Sequence, residues 1–265
     1  MGRMEALILG IIQGLTEFMP ISSSGHMELM KAILGSDMVH NEEVLFSVMV
    51  HFATALATLV AFWPEVLRFF RGLFSPALKQ DFLFSISILL SMIPAAVVGY
   101  LLETTFAGMV GNGNLLLVGI MLGLTGILLV IANNTEAGTR TVTPGTALLM
   151  GLVQILAFIP GLSRSGIVIS TALIQKVEKT EAVRFAFLMV VPLIFGKMAQ
   201  DVLGGTFTWD QGIPQYLLIG FVAAFITGLW VCRWMVHLVA HANLNYFALY
   251  CFLVGLASIL VPLIA

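Results

Sequence analysis

Two clusters of polar residues interrupt otherwise apolar stretches of this sequence, and their types suit work on a phosphorylated group. The first holds Gln13, Glu17, Ser22, Ser23, Ser24, Gly25 and His26, and the second holds Ser163, Arg164, Ser165 and Gly166. Gln13 and Glu17 are spaced i, i+4, so one helical face presents both. A helix that starts right after such serines points its free N–H groups and positive dipole end into the break. An arginine adds a planar fork that grips phosphate oxygens in pairs and stays charged when desolvated. Together these groups describe an anion site, and a phosphate or diphosphate suits it best. Plain anion binding has no use for a carboxylate and an imidazole, whereas hydrolysis does. Ser23 reads as a nucleophile, Glu17 as its base, and Arg164 as the holder of charge growing on the phosphoryl oxygens. His26 reads as an acid, as an alternative nucleophile or as part of a metal site, and these stay open.

Each residue also has a structural reading. Glu17 and Arg164 could serve only as an ion pair, because intramembrane charges find partners. His26, Ser22 and Ser24 suit helix caps, and Gln13 suits an interhelical hydrogen bond. His51 reads as a satisfied core histidine, with lining the cavity as the alternative, Glu28 and Lys31 as interfacial, and Lys197 with Asp201 as a local i, i+4 pair. Gly119, Gly123 and Gly126 suggest close helix packing, and Pro94 and Pro192 suggest kinks within spanning helices.

The elements that must carry these residues belong to a membrane. Of 265 residues, 59% are hydrophobic and only 10% charged, where soluble domains carry about 25% charged residues. So little charge cannot coat a water-soluble globule of this size. Cys232 and Cys251 both lie in apolar runs, which excludes a disulfide framework and a thiolate metal site. A net charge of -2 without a basic cluster argues against nucleic acid. Six segments are long enough to span: 44–63, 82–102, 115–132, 182–203, 216–236 and 246–264. Two more, 4–35 and 146–175, break at Pro20 and Pro160 into halves too short to cross. Each reads as a re-entrant helix–loop–helix pair, tolerated at depth where protein or water covers the irregular backbone.

The two broken segments resemble each other. Ala6–Gln13 aligns with Ala147–Gln154, and Ser22–Gly25 with Ser163–Gly166; both Gln13 to Gln154 and Gly25 to Gly166 are 141 positions apart. The expected architecture is therefore an all-α polytopic membrane protein in one membrane domain, 1–265. It has six transmembrane helices plus two re-entrant pairs in an inverted-topology repeat. Repeat 1 covers 1–133 and repeat 2 covers 146–265, with the broken helices meeting near the midplane. Arg68, Arg71, Lys79, Arg140, Lys176, Lys179, Arg184 and Arg233 collect on one face. Arg3 and Lys31 collect on the other, beside Asp37, Glu42, Glu43, Glu103 and Asp210. The basic face is then cytoplasmic, and both termini and the site opening lie outside.

The stretch from Gln13 to His26, with Glu17, Pro20 and Ser22-Ser23-Ser24-Gly25-His26, resembles the first signature of the bacterial undecaprenyl-diphosphate phosphatases, the bacitracin-resistance family. Pro160-Gly161-Leu162-Ser163-Arg164-Ser165-Gly166 resembles the second. The resemblance implies hydrolysis of a C55 isoprenyl diphosphate to its monophosphate, which recycles the lipid carrier for cell-wall synthesis in the bacterial cytoplasmic membrane. It implies functional roles for Gln13, Glu17, Ser23, His26, Ser163, Arg164 and Ser165. Ser22, Ser24, Gly25 and Gly166 join them as substrate-binding candidates. It further implies a divalent cation, Mg²⁺ or Ca²⁺, with Glu17 and Gln13 as candidate ligands, and it allows a homodimer. The chain departs from the family pattern at Val168, where a threonine is usual; Ser170 is a candidate for a shifted hydrogen bond there. The rival reading is a transporter or flippase of a phosphorylated lipid or small anion, which would use the same broken helices without needing Glu17, Ser23 and His26.

Overall fold

Helix boundaries in the computed structural model fall where the sequence removes a backbone donor or supplies a cap. The structure describes residues 1–36, 40–75, 79–101, 114–136, 138–203, 214–241 and 243–264. Asp37, Glu103 and Asp210 lie outside these residues, and so do the side chains of Lys197 and Asp201 and the pairing expected of them. Among the described residues the chain is helical, with no strand and one isolated bridge between Arg140 and Val177. The order is α1 (Arg3–Thr16), α2 (Ser23–Leu34), α3 (His40–Ala61), α4 (Trp63–Phe74), α5 (Lys79–Leu101) and α6 (Leu115–Asn133). There follow α7 (Pro144–Val153), a 3-10 turn (Gln154–Phe158), α8 (Arg164–Ile174), α9 (Lys179–Leu188), α10 (Val191–Leu203), α11 (Gln215–His241) and α12 (Asn245–Ile264).

Four of these helices, α3, α5, α6 and α11, are long and apolar enough to cross a membrane, and they correspond to the expected spans 44–63, 82–102, 115–132 and 216–236. The expected span 246–264 is α12, whose apolar part Asn245–Val261 is shorter. The span expected at 182–203 is not one helix. It breaks at Met189–Val190 into α9 and α10. Pro192 sits in the first turn of α10, where its missing N–H costs nothing, and it leaves the Leu188 carbonyl without an intrahelical donor. Pro192 therefore starts a helix instead of kinking one, whereas Pro94 does lie inside α5.

The segment expected to loop between the first two spans forms the amphipathic helix α4. It buries Val66 and Gly72 and exposes Trp63, Phe70 and Phe74. Glu65 pairs with Arg184 of α9 at 3.3 Å, and Arg68 donates to Asp81 at 2.6 Å. Both broken units end their breaks the same way. Ser22 caps α2 by accepting from the Gly25 N–H at 3.2 Å, and Ser163 caps α8 by accepting from the Gly166 N–H at 3.0 Å. Glu178 caps α9 by accepting from the N–H groups of Thr180 and Glu181. Burial pushes the Glu178 carboxyl up, but those two donors, the Thr180 hydroxyl and the Arg184 charge together hold it below its ordinary range.

Packing then sets where the breaks lie. Helix α1 runs along α11, α7 along α5, and α6 along α12. At the last contact a Cβ on Gly119 would meet the Gly255 carbonyl at 2.5 Å, and one on Gly126 would meet the Phe252 ring at 2.8 Å. Gly123 faces open space, so it does not serve the packing expected of it. The largest apolar core surrounds α8 and α9, and Phe18, Phe62, Leu162, Ile169, Phe185 and Phe187 contribute to it. On the opposite side, Lys31 bridges Glu28 at 3.0 Å and Glu43, tying α2 to α3. Glu28 is buried and Lys31 and Glu43 are half-buried, so the tie is packed between the two helices.

Candidate active site

The last turn of α1 and the break after it carry the acid. Gln13 and Glu17 share a face, and Gln13 Nε2 donates to Glu17 Oε2 at 3.0 Å. The chain turns through Glu17–Ile21, where Pro20 cannot extend a helix, and re-enters α2 through Ser22. Ser22 has φ +69°, a left-handed backbone that is uncommon for a residue with a Cβ. That turn brings Ser23 back onto the acid, and Ser23 Oγ donates to Glu17 Oε2 at 2.6 Å. Glu17 is 6% exposed.

The second break supplies the cation. Gly161 takes φ +93°, and a Cβ there would strike the Val118 carbonyl of α6 at 2.5 Å, so glycine alone fits. Leu162 anchors in the core, Ser163 caps α8, and Arg164 at its first position donates to Glu17 Oε1. The two breaks also touch through their backbones. The Gly161 N–H donates to Ser24 Oγ at 3.4 Å, and Ser165 Oγ donates to the Met19 carbonyl at 2.9 Å. A Cβ on Gly25 would come within 3.2 Å of Gly161 Cα. Ser22 Oγ lies 3.3 Å from Ser24 Oγ, and Ser163 Oγ lies 3.3 Å from Ser165 Oγ. The Ser163 N–H is taken by Thr125 Oγ1 of α6 at 3.0 Å.

The structure thus brings Gln13, Ser23 and Arg164 onto the Glu17 carboxylate, while Ser22, Ser24, Gly25, Ser163, Ser165 and Gly166 make the caps and contacts of the two breaks. His26 is turned to other partners. Its Nδ1 lies 2.7 Å from the Ser22 carbonyl, which can only accept, and its Nε2 lies 2.9 Å from Tyr250 Oη. The imidazole stacks on the Tyr250 ring of α12 at 5.6 Å and 4°. Tyr250 is thereby tied to the site although nothing in its sequence neighbourhood marks it.

His51 also approaches the site. It lies on α3 with Nδ1 2.8 Å from the Ser47 carbonyl and Nε2 3.8 Å from Glu17 Oε2. It lies beside the Glu17 carboxylate, with Nδ1 held by the Ser47 carbonyl. The only signal for it was its position in mid-span. A narrow cleft beside the carboxylate is lined by Glu17, Phe18, Thr54, Ala55, Thr58, Arg164, Phe187, Val190 and Ile194, so the break between α9 and α10 opens onto the same place. Val168 is 1% exposed and sits in the apolar core, and Ser170 Oγ is buried without a partner among the described residues. The hydrogen bond that the sequence allows Ser170 is not made to any described residue.

A divalent cation fits the residues present in a limited way. Among the described residues no three His, Cys, Asp or Glu gather as a ligand group. Gln13 Oε1, however, is fully buried with no hydrogen-bond partner among the described residues, on the side chain whose amide N–H already holds Glu17. One carboxylate and one amide oxygen match the sparse protein ligation of Mg²⁺-type sites, where substrate phosphates and water complete the shell.

A helical membrane protein with a carboxylate, a hydroxyl and a guanidinium joined between two broken helices belongs among proteins that handle anionic groups within the bilayer. Comparison with known proteins narrows this. The profile of the family described as bacitracin resistance protein BacA matches residues 6–257, and the chain belongs to that family. It is 48% identical over 256 residues to an undecaprenyl-diphosphatase of Christiangramia forsetii, covering 97% of each chain. It is 41% identical to one of Parabacteroides distasonis, covering 98% of each. It is 32% identical to one of Methanococcus vannielii, covering 96% of this chain and 98% of that one.

Proposed function

We propose that this chain is an undecaprenyl-diphosphate phosphatase, a membrane acid-anhydride hydrolase that releases inorganic phosphate from the lipid diphosphate and returns the lipid monophosphate for cell-wall synthesis. The observation that carries the proposal is Glu17, which accepts from Ser23 through one oxygen and from Arg164 through the other. A hydroxyl 2.6 Å from a carboxylate is a nucleophile beside its base. Glu17 takes the Ser23 proton as Oγ attacks the terminal phosphorus, the bond to the bridging oxygen breaks, and Glu17 passes the proton to the departing lipid monophosphate, which returns it to the carboxylate form. Arg164 turns from Glu17 to the phosphoryl oxygens and neutralises the charge that grows there. Water then attacks the phosphoseryl group, Glu17 accepts its proton, and Ser23 regains one. His26, with both ring nitrogens engaged, orients α2 through Ser22 and Tyr250, so Ser23 is favoured over His26 as nucleophile. A divalent cation held by Glu17 and Gln13 would supply further neutralisation of the diphosphate.

The chain is organised as two inverted repeats, 1–133 and 146–265, with six crossings and two re-entrant pairs. The matched caps of the two breaks and the cross-packing of α1 on α11 and α7 on α5 support this. Each repeat contributes what the other lacks: the alignment sets Ser23 opposite Arg164 and Glu17 opposite Phe158. The site opens outside the cytoplasmic membrane, the basic face is cytoplasmic, and two chains pair as a homodimer. The test is phosphate release by detergent-purified protein from a polyprenyl diphosphate with Mg²⁺ or Ca²⁺ present. Binding of the lipid with no phosphate released would sink the hydrolase and leave a carrier. Cysteine labelling should reach residues 36–43 from outside and 64–81 only from inside.

A further inference from the structure

We infer that helix α4 is an in-plane membrane anchor whose outward face seats anionic phospholipid, with the headgroup held by Arg71 and Lys79. This goes beyond the phosphatase reading and does not depend on it.

Length and pattern both point to the bilayer boundary. The 12 residues of α4 reach about 18 Å, too short to cross a bilayer. At helical spacing, Trp63, Leu67, Phe70 and Phe74 fall within about 60° of one another. All four face away from the protein, and Trp63, Phe70 and Phe74 are 56%, 51% and 82% exposed. Arg71 and Arg68 fill roughly the next 100° of the same outward side, and both are exposed. The opposite side, with Val66 and Gly72, is buried against the protein. Water would strand the aromatic stripe, and lipid tails would strand the arginines. Only the interface satisfies both, with the rings at the junction of headgroups and acyl chains and the cations among phosphates.

Charge selects the headgroup. Glu65 is committed to Arg184 at 3.3 Å and Asp81 to Arg68 at 2.6 Å, so the carboxylates of this corner are taken. Arg71 and Lys79 have no carboxylate partner among the described residues. Gly72 packs against the Asp81 backbone, where a Cβ would clash, and this keeps Lys79, at the start of α5, beside the last turn of α4. Two copies of the chain meeting through this face would set the same cations against each other, and like charges brought together across an interface oppose association. The occupant is therefore anionic lipid and not a second copy.

The test places the full-length protein in vesicles of phosphatidylcholine and phosphatidylglycerol, with a fluorophore on Phe70→Cys, or on Phe74→Cys if the first does not fold. Cys232 and Cys251 are buried and stay unlabelled. Lipid brominated high in the acyl chain should quench the fluorophore, and aqueous iodide should not. Brominated phosphatidylglycerol should reach half-quenching at about fivefold lower mole fraction than brominated phosphatidylcholine, the enrichment expected from one cation beside the headgroup. Arg71→Gln combined with Lys79→Gln should abolish that difference while quenching by brominated lipid persists. Quenching by iodide alone puts α4 in water and overturns the inference. Equal quenching by the two lipids in the parent overturns it too, as does a difference that survives the double variant. Protection from both quenchers, with fluorophores approaching one another as protein density rises, gives the face to a second copy and overturns it as well. Phosphate release plays no part in this readout, so either reading can fail while the other stands.

Discussion

If Glu17 and Arg164 act as one unit, removing both should cost little more than removing the worse of the two. Arg164→Ala leaves Glu17, whose side chain is 4% exposed, with only Ser23 and Gln13 as donors. Glu17→Ala leaves Arg164, whose side chain is 27% exposed and so keeps partial hydration. Breaking a fully buried pair from one side costs 3–5 kcal/mol. The exposure of Arg164 puts Glu17→Ala below that range, at about 2 kcal/mol, and Arg164→Ala at its lower end, at about 3 kcal/mol. The double variant should then lose about 3 kcal/mol, a coupling of about 2 kcal/mol. Denaturant unfolding in mixed micelles measures all four corners of the cycle, and phosphate release from a polyprenyl diphosphate gives the catalytic cycle in parallel. Each single change should slow release at least about 10²-fold, or about 2.7 kcal/mol of barrier, and the double change should add less than a further factor of about ten. A double variant that loses the full sum in stability, with coupling under about 0.5 kcal/mol, would refute the claim that the two side chains are partners.

Three further outcomes follow from the geometry. Ser23→Ala should abolish phosphate release while Tyr250→Phe, which keeps the ring stack and removes one hydrogen bond worth about 1 kcal/mol, should slow it less than about tenfold; equal losses would move the nucleophile to His26. Chelation should silence the protein, and Gln13→Glu, which places a second carboxylate at the unpaired buried oxygen, should lower the half-saturating cation concentration about tenfold, as read from a metal titration of activity. Glu178→Ala should cost about 1 kcal/mol through loss of the α9 cap. Because the Glu178 carboxyl lies below its ordinary range when folded, its stabilisation holds at neutral pH and is lost as pH falls through the folded value. A pH-dependent melt in which parent and variant differ equally at acid and neutral pH would contradict that assignment.

How much of this was legible along the chain depends on the range of each interaction. Both helix breaks and their caps were, because Pro20, Pro160 and the Ser-x-Ser-Gly runs act within a few residues of themselves. The i, i+4 pairing of Gln13 with Glu17 was also legible, as helical geometry alone sets it. The convergence of Glu17 and Arg164 was expected from the internal likeness of 6–25 and 147–166. Read as a duplication, that likeness carries a long-range relation in local sequence.

Other features had to wait for packing. A histidine in mid-span carries no mark of the face it occupies, so whether His51 met lipid, core or carboxylate was decided by how α3 lies against α1. Tyr250 reaches His26 across 224 positions, beyond any periodicity. Pro192 is compatible with a kink or with a fresh helix start, and only the neighbours of Met189 and Val190 choose between them. Local backbone chemistry thus decided where helices stop. The partners of each buried polar side chain were decided by the fold, because in a low-dielectric interior such groups must be satisfied by whatever the packing brings within reach.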